Sequence, residues 1–168
     1  MRLFIAALLS DEIRKELTGA QMLFRKSGVR GNYSPEENLH LTLAFIGEYD
    51  DPDAVLDAME RVSFKSFPLR LEGFGCFDDL WWAGLERSEA LAAYVRRLRR
   101  ALADAGIPFD GKRFTPHITL LRRAEGGKMP RLPDSEASMT VEAVSLMRSE
   151  RGKHSMIYTE LGRVNAEN

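Results

Sequence analysis

The chain is predicted to fold as a mixed helix-and-strand protein of two like lobes. The first observation behind this is a doubled tetrapeptide, His40-Leu41-Thr42-Leu43 and His117-Ile118-Thr119-Leu120. Each alternates polar and apolar residues in the manner of a half-buried strand, so its His and Thr share one face and its aliphatics the other. The second is the context of the two. A strand, a capped helix, a glycine stop, a turn and a His-x-Thr strand follow one another twice, with 30 residues from Ser10 to His40 and 29 from Ser88 to His117. Such self-similarity suggests an internal duplication. Two lobes related by an approximate two-fold would bring the His-x-Thr strands to face each other across a cleft. The 168 residues fit a single domain, 1–168, of two interlocked lobes with repeats at about 2–48 and 80–125.

The elements are expected in this order. Residues 2–9 read as a buried strand. Ser10 is placed as an N-cap with Asp11 and Glu12 in the first helical turn. The helix runs to Lys26 with Ile13, Leu17, Ala20 and Phe24 on one stripe, and Gly28 stops it. Gly31 to Asn38 reads as a turn-rich approach to the His40 strand. Asp51 caps a short helix over 52–62, and 69–77 is a strand whose two glycines suggest a bulge. A strand over 80–86 precedes Ser88, the cap of a helix with Leu91, Tyr94, Val95, Leu98 and Leu102 inward; Gly106 ends it. Pro108 to Pro116 leads into the His117 strand, and 126–133 is a loop. Strands at 139–148 and 154–161 form a hairpin around Glu150-Arg151-Gly152-Lys153, and residues 163–168 are expected to fray.

Composition narrows the function classes. A hydrophobic content of 44% with 29% charged residues is that of a globular protein, and a net charge of −1 offers no global field for long nucleic acid, so a polyanion site has to be local. The single cysteine, Cys76, rules out an internal disulfide framework and suits a reducing cytoplasm. The apolar start is too short for a signal peptide and meets Ser10-Asp11-Glu12 instead of a cleavage site. No run approaches the length of a membrane span.

The histidines carry the chemistry. Imidazole alone titrates near neutral pH unaided and is the usual acid and base. One strand histidine is most often structural, but two of the three in this chain occupy the same frame at equivalent points of a repeat. His40 and His117, with Thr42 and Thr119 on the same faces, amount to an acid, a base and two hydroxyl donors, enough to break a phosphodiester without a metal. Arg122 and Arg123 follow the second motif, and an arginine fork suits phosphate. An ideal strand would turn Arg122, five residues past His117, to the opposite face, although strand ends often bend. Lys112, Arg113 and Arg30 enter the turns before the two strands and could rim an anion funnel. Tyr33, Phe45, Phe114 and Tyr158 are aromatics available to stack on a base, with core packing the default, above all for Phe45. Trp81 and Trp82 lie on opposite faces of one strand. His154 reads as surface. No metal site is expected, since zinc would need a third ligand and Cys76 has no C-x-x-C companion. Neither a phosphate-binding glycine loop nor a G-x-S-x-G elbow is present.

The two His-x-Thr motifs in one compact chain resemble the 2H phosphoesterase superfamily, and their flanks resemble its RNA 2′,3′-cyclic phosphodiesterase (2′-5′ RNA ligase) family. The similar stretches are 1–6, 37–48 and 114–122, with 146–161 alike through Ser149, Gly152 and Tyr158. Asn32 stands where the family often has Trp, and the 149–152 hairpin is more charged than usual for the family. The resemblance implies a bilobal α+β fold with antiparallel sheets lining a central cleft and helices outside. It implies hydrolysis of a 2′,3′-cyclic phosphate to a 2′-phosphomonoester without cofactor or metal, with 2′-5′ ligation as a related activity. By motif match His40 would be the general acid, His117 the general base, Thr42 and Thr119 the phosphate-oxygen donors and Arg122 a charge partner. From the residues alone, which histidine plays which part stays open. The expected partners are RNA ends or small cyclic nucleotides, met by a cytoplasmic monomer with no membrane association. The alternatives are a non-catalytic module that binds nucleotides or RNA ends, a phosphodiesterase of another small cyclic or 2′-5′ linked nucleotide, and a purely structural origin of both motifs.

Overall fold

The computed structural model describes residues 1–167. The chain runs β1 (Arg2–Leu8), α1 (Asp11–Lys26), β2 (Arg30–Tyr33), a 3-10 turn (Glu36–Asn38), β3 (His40–Glu48), α2 (Pro52–Glu60), β4 (Phe67–Phe77), β5 (Leu80–Leu85), α3 (Glu89–Asp104), β6 (His117–Glu125), β7 (Ser138–Val141), β8 (Ala143–Arg151) and β9 (Met156–Asn165). Two antiparallel sheets result, ordered β3-β1-β8-β9 and β2-β6-β5-β4-β7. The fold is α+β. In each sheet a His-x-Thr strand pairs with the strand that opens its half of the chain: β3 with β1, and β6 with β5. Among the described residues no helix is long and apolar enough to cross a membrane.

The helices begin where the side chains dictate. Ser10 Oγ accepts the Ile13 amide at 3.3 Å, Asp51 Oδ1 that of Ala54 at 3.1 Å, and Ser88 Oγ that of Leu91 at 3.1 Å. Each satisfies an amide that has no partner within the helix, a contribution of about 1 kcal/mol. The apolar stripes of α1 and α3 are buried as the periodicity requires. Each of these helices crosses over. α1 leaves β1 of the four-stranded sheet but packs on β6 and β7 of the other, Phe24 meeting the Trp81 ring edge-on at 5.0 Å. α3 leaves β5 of the five-stranded sheet and packs on α2 and β3. The two halves therefore share one core, and the sheets are held against each other by helices that belong, in chain order, to the opposite side.

Three expectations change. Residues 31–38 are more than a turn: β2 forms the edge of the second sheet beside β6, although Arg30-Gly31-Asn32-Tyr33 has no apolar alternation to announce a strand. A Cβ on Gly31 would lie 2.7 Å from the Arg122 carbonyl and 2.8 Å from that of Arg123, so glycine lets β2 approach. The expected strand over 139–148 is two strands. The chain breaks at Glu142; β7 pairs with β4 and β8 with β1 and β9, so the segment passes from one sheet to the other. The expected fraying fails for 163–167: β9 continues to Asn165, and the Glu167 amide reaches the Phe64 carbonyl at 2.8 Å. Asn168 lies outside the described residues. The bulge expected in β4 is present as a register shift between Leu71 and Phe74.

One buried polar residue escaped the sequence reading. Gln21 of α1 is 4% exposed, and its Nε2 donates to the carbonyls of Ser34 and Leu120, each at 2.9 Å. It ties α1 to the approach of β3 and to β6 at once. Gln21→Met keeps the volume but leaves the Ser34 carbonyl without its donor. This should lower unfolding stability by about 1–3 kcal/mol, read as a fall in the urea midpoint at constant slope.

Candidate active site

The alternation of β3 and β6 sets the site. Leu41, Leu43, Ile118 and Leu120 are at most 1% exposed, whereas His40, Thr42, His117 and Thr119 are half-buried and open on a cleft of about 1160 Å³. The cleft is also lined by Arg122, Tyr33, Phe45, Phe77 and Tyr158. The structure thus brings together His40, His117, Thr42, Thr119 and Arg122. A second cavity of about 760 Å³ shares His40, Thr42, Phe45, Arg122 and Tyr158 with the cleft and continues it toward Arg2, Phe4 and Ser149.

Each imidazole is oriented the same way. His40 Nδ1 lies 2.7 Å from the Asn38 carbonyl, and His117 Nδ1 lies 2.7 Å from the Thr115 carbonyl, in both cases two residues back. A carbonyl only accepts, so each Nδ1 carries the hydrogen and Nε2 is the nitrogen left to gain or lose a proton. His40 Nε2 stands 2.8 Å from Thr42 Oγ1. The hydroxyl donates to the neutral ring and would accept from the protonated one. His117 Nε2 has no hydrogen-bond partner among the described residues.

The surroundings of the two rings differ. Phe4 lies 4.9 Å from His40, and Tyr158 meets it edge-on at 5.3 Å, while His117 has the exposed Phe77 at 5.4 Å. Burial pushes the His40 pKa below the ordinary imidazole value; the Asn38 carbonyl opposes the shift, and the positive charges of Arg122 and His117 deepen it. A positive charge on His117 is thus felt at His40.

Arg122 reaches the cleft because β6 is bulged. Trp82 pairs with Thr119 and Trp81 with Leu121, so Leu120 is skipped, and Leu120 and Leu121 are consecutively buried. The extra residue reverses the alternation beyond it and turns Arg122 to the face of His117, where the ideal strand would not have put it. The same device recurs in β3: Ala6 pairs with Thr42 and Ile5 with Ala44, skipping Leu43. The residue it turns inward is Phe45, five past His40, just as Arg122 is five past His117. Phe45 is therefore a cleft residue, which corrects the expectation of core packing; the Arg2 guanidinium lies 5.0 Å from its ring centre. The equivalence of the two repeat positions was the signal that could have found it.

The remaining candidates divide. Tyr33 and Tyr158 line the cleft, while Phe114 packs on the core. Lys112 lines the cleft, but Arg113 does not, and Arg30 faces Glu125 at 3.8 Å instead of forming a rim. His154 is exposed on the β8–β9 hairpin, whose tip overhangs the cleft. Trp81 is buried and Trp82 half-buried, on opposite faces. Among the described residues no three His, Cys, Asp or Glu side chains converge in a way that could hold a metal ion. Sequence reasoning missed Arg2 and Phe4, which reach the site only through sheet pairing.

Comparison with known proteins agrees with this architecture. The model of the 2′-5′ RNA ligase superfamily matches residues 9–153. The RNA 2′,3′-cyclic phosphodiesterase of Thermus thermophilus is 35% identical over 96% of this chain and 88% of its own length; that of Thermotoga maritima is 33% identical over 73% and 70%. Escherichia coli LigT, solved with 3′-AMP, superposes with a TM-score of 0.86 at 29% identity, covering 99% of this chain and 98% of that one. With a family match across most of its length and the paired histidine strands in one cleft, the chain belongs to the 2′-5′ RNA ligase superfamily.

Proposed function

We propose that the protein is an RNA 2′,3′-cyclic phosphodiesterase that hydrolyses the cyclic phosphate to a 2′-phosphomonoester. The observation that carries this reading is the pair of imidazoles, each with Nδ1 held by a carbonyl and Nε2 left to work over one cleft that also receives Arg122. The relatives that bear this activity in their names support it.

The residues would act as follows. The cyclic phosphate sits between the two strands, its non-bridging oxygens accepting hydrogen bonds from Thr42 and Thr119 and facing the Arg122 guanidinium. His117 Nε2 takes a proton from water as the water oxygen bonds to phosphorus. His40, protonated on Nε2, gives its proton to the 3′ oxygen as that oxygen leaves. The product is a 2′-phosphate with a free 3′-hydroxyl, and one proton returned from His117 to His40 through solvent restores the site. A strained five-membered ring needs little beyond positioning and these two transfers. A ribose 5′-hydroxyl in the place of water would give a 2′-5′ linkage by the same steps. Phe45 and Tyr158 offer rings against which a base can stack. A cytoplasmic location belongs to this reading, supported by the lone free thiol of Cys76.

Incubation with a cytidine 2′,3′-cyclic phosphate, followed by phosphorus NMR, should yield the 2′-phosphate alone, with turnover unaffected by EDTA. His40→Ala and His117→Ala should each lower kcat by about 10²–10⁴-fold. Nucleotide bound but not turned over would instead mark a binding module. Proton NMR of the imidazoles should give His40 a titration midpoint below the ordinary 6.5, and Arg122→Gln should move it upward by removing a positive neighbour. Since His40 is the weaker base in the folded chain, its linkage to stability is full above pH 6.5 and declines as pH falls below it, so mild acid should lower the thermal midpoint.

A further inference from the structure

The two histidines are held by the same kind of bond, but the two carbonyls that hold them are aimed by different means. In the second repeat the carbonyl belongs to Thr115, and Pro116 follows it. Proline fixes its own φ and disfavours all but extended backbone in the residue before it, so the local chain already restricts where the Thr115 carbonyl points. Thr115 itself is exposed. In the first repeat Leu39 stands at the position of Pro116. Proline would not serve there: Leu39 is 3% exposed in the core, and its amide donates to the Glu36 carbonyl at 3.2 Å. The Asn38 carbonyl has to take its direction from something else.

The Asn38 side chain supplies it. Its Nδ2 donates to the Met156 carbonyl at 2.8 Å, a bond that spans 118 residues of chain. The backbone amide of Asn38 donates to the Pro35 carbonyl at 2.9 Å and closes the 3-10 turn. Asn38 is thus gripped from both sides, and its carbonyl is left facing His40 Nδ1 at 2.7 Å. The partner strand is well placed for this. β3 and β9 are the two edges of the four-stranded sheet, and the Asn38–Met156 bond ties those edges together at the end where His40 sits. Two residues past Met156, Tyr158 meets the His40 ring edge-on at 5.3 Å. One strand therefore fixes both the carbonyl behind the imidazole and the ring beside it. The Asn38 carbonyl also favours the charged imidazole, against the effect of burial.

We propose that Asn38 is a positioning residue for the general acid: its side chain, anchored on the Met156 carbonyl, aims its own backbone carbonyl at His40 Nδ1 and so keeps the transferable proton on Nε2. This deepens the preceding reading and rests on it for the role of His40. The tautomer of the ring is open to measurement with no substrate present.

The test reads the nitrogen NMR shifts of both imidazoles at a pH where both are neutral. In the wild type each ring should carry its hydrogen on Nδ1. Asn38→Ala should shift His40 toward a mixture of tautomers, while His117 in the same sample keeps its form. The same variant should lower kcat for a nucleoside 2′,3′-cyclic phosphate by about 10–100-fold, with KM changed by no more than about twofold. Asn38→Gln, which keeps an amide donor on a longer stem, should recover part of both effects. Gln21→Met, which removes a different tether of the same approach, should leave both tautomers as they are. An unchanged His40 tautomer in Asn38→Ala would overturn the proposal and make the bond a structural staple. A raised KM at constant kcat would overturn it in favour of a substrate contact, since Asn38 also lines the cleft. A changed tautomer with full kcat would overturn it as well. Should Asn38→Ala not fold, Asn38→Ser carries the test with a turn-compatible residue too short to reach Met156. If no cyclic substrate turns over, the preceding reading fails, and the tautomers still decide what the Asn38 side chain does to His40.

Discussion

A hydrogen bond from each Nδ1 to a carbonyl two residues upstream is the constraint on which the site depends. It settles the tautomer, since the carbonyl cannot donate, and it turns Nε2 toward the cleft. The bond is available because each histidine opens its strand: Asn38 and Thr115 lie in the approach to it, where the backbone is not yet committed to the sheet ladder. A histidine deeper in either strand would find the neighbouring carbonyls occupied by sheet pairing. The first residue of the strand can be anchored by what precedes it and still project from the sheet face.

The second device is the bulge. An unbroken strand would put residues five apart on opposite faces, and the cleft would lose Arg122 from one side and Phe45 from the other. Skipping Leu120 in β6 and Leu43 in β3 restores the facing and leaves two adjacent aliphatics buried beneath. The outcome differs in chemistry, with a cation on one strand and an aromatic ring on the other. The same backbone solution thus delivers a guanidinium to the cleft from one half and a ring from the other. The asymmetry extends to the imidazoles, His40 lying between the rings of Phe4 and Tyr158, while among the described residues His117 has Phe77 as its aromatic neighbour.

Electrostatics remain local. Most ion pairs of the chain are exposed and contribute little to stability. Around the cleft the balance is different, because Arg2, Arg122 and Arg151 stand without acidic partners among the described residues, in partly enclosed space where charges are screened less than on an open surface. Uncompensated guanidinium in a walled groove is a standing attraction for phosphate, and the charge of Arg122 adds to burial in lowering the proton affinity of His40.

Much of this was legible in the order of residues. The caps Ser10, Asp51 and Ser88, the buried stripes of α1 and α3, and the facing of His40 with Thr42 and His117 with Thr119 all follow from local periodicity, because helix and strand repeat at 3.6 and 2 residues whatever surrounds them. The family resemblance was read from the same short motifs and their flanks, and the family model matches residues 9–153. What only the tertiary structure decided was everything that depends on pairing between distant segments. β2 exists because Gly31 can lie against β6; the strand breaks at Glu142 because the segments on its two sides pair in different sheets; Arg2 and Phe4 join the site because β1 lies between β3 and β8. The direction of Arg122 and Phe45 belongs with these. A bulge is a mismatch in length between two paired strands, so neither strand contains it alone, and no single stretch of sequence could have announced it.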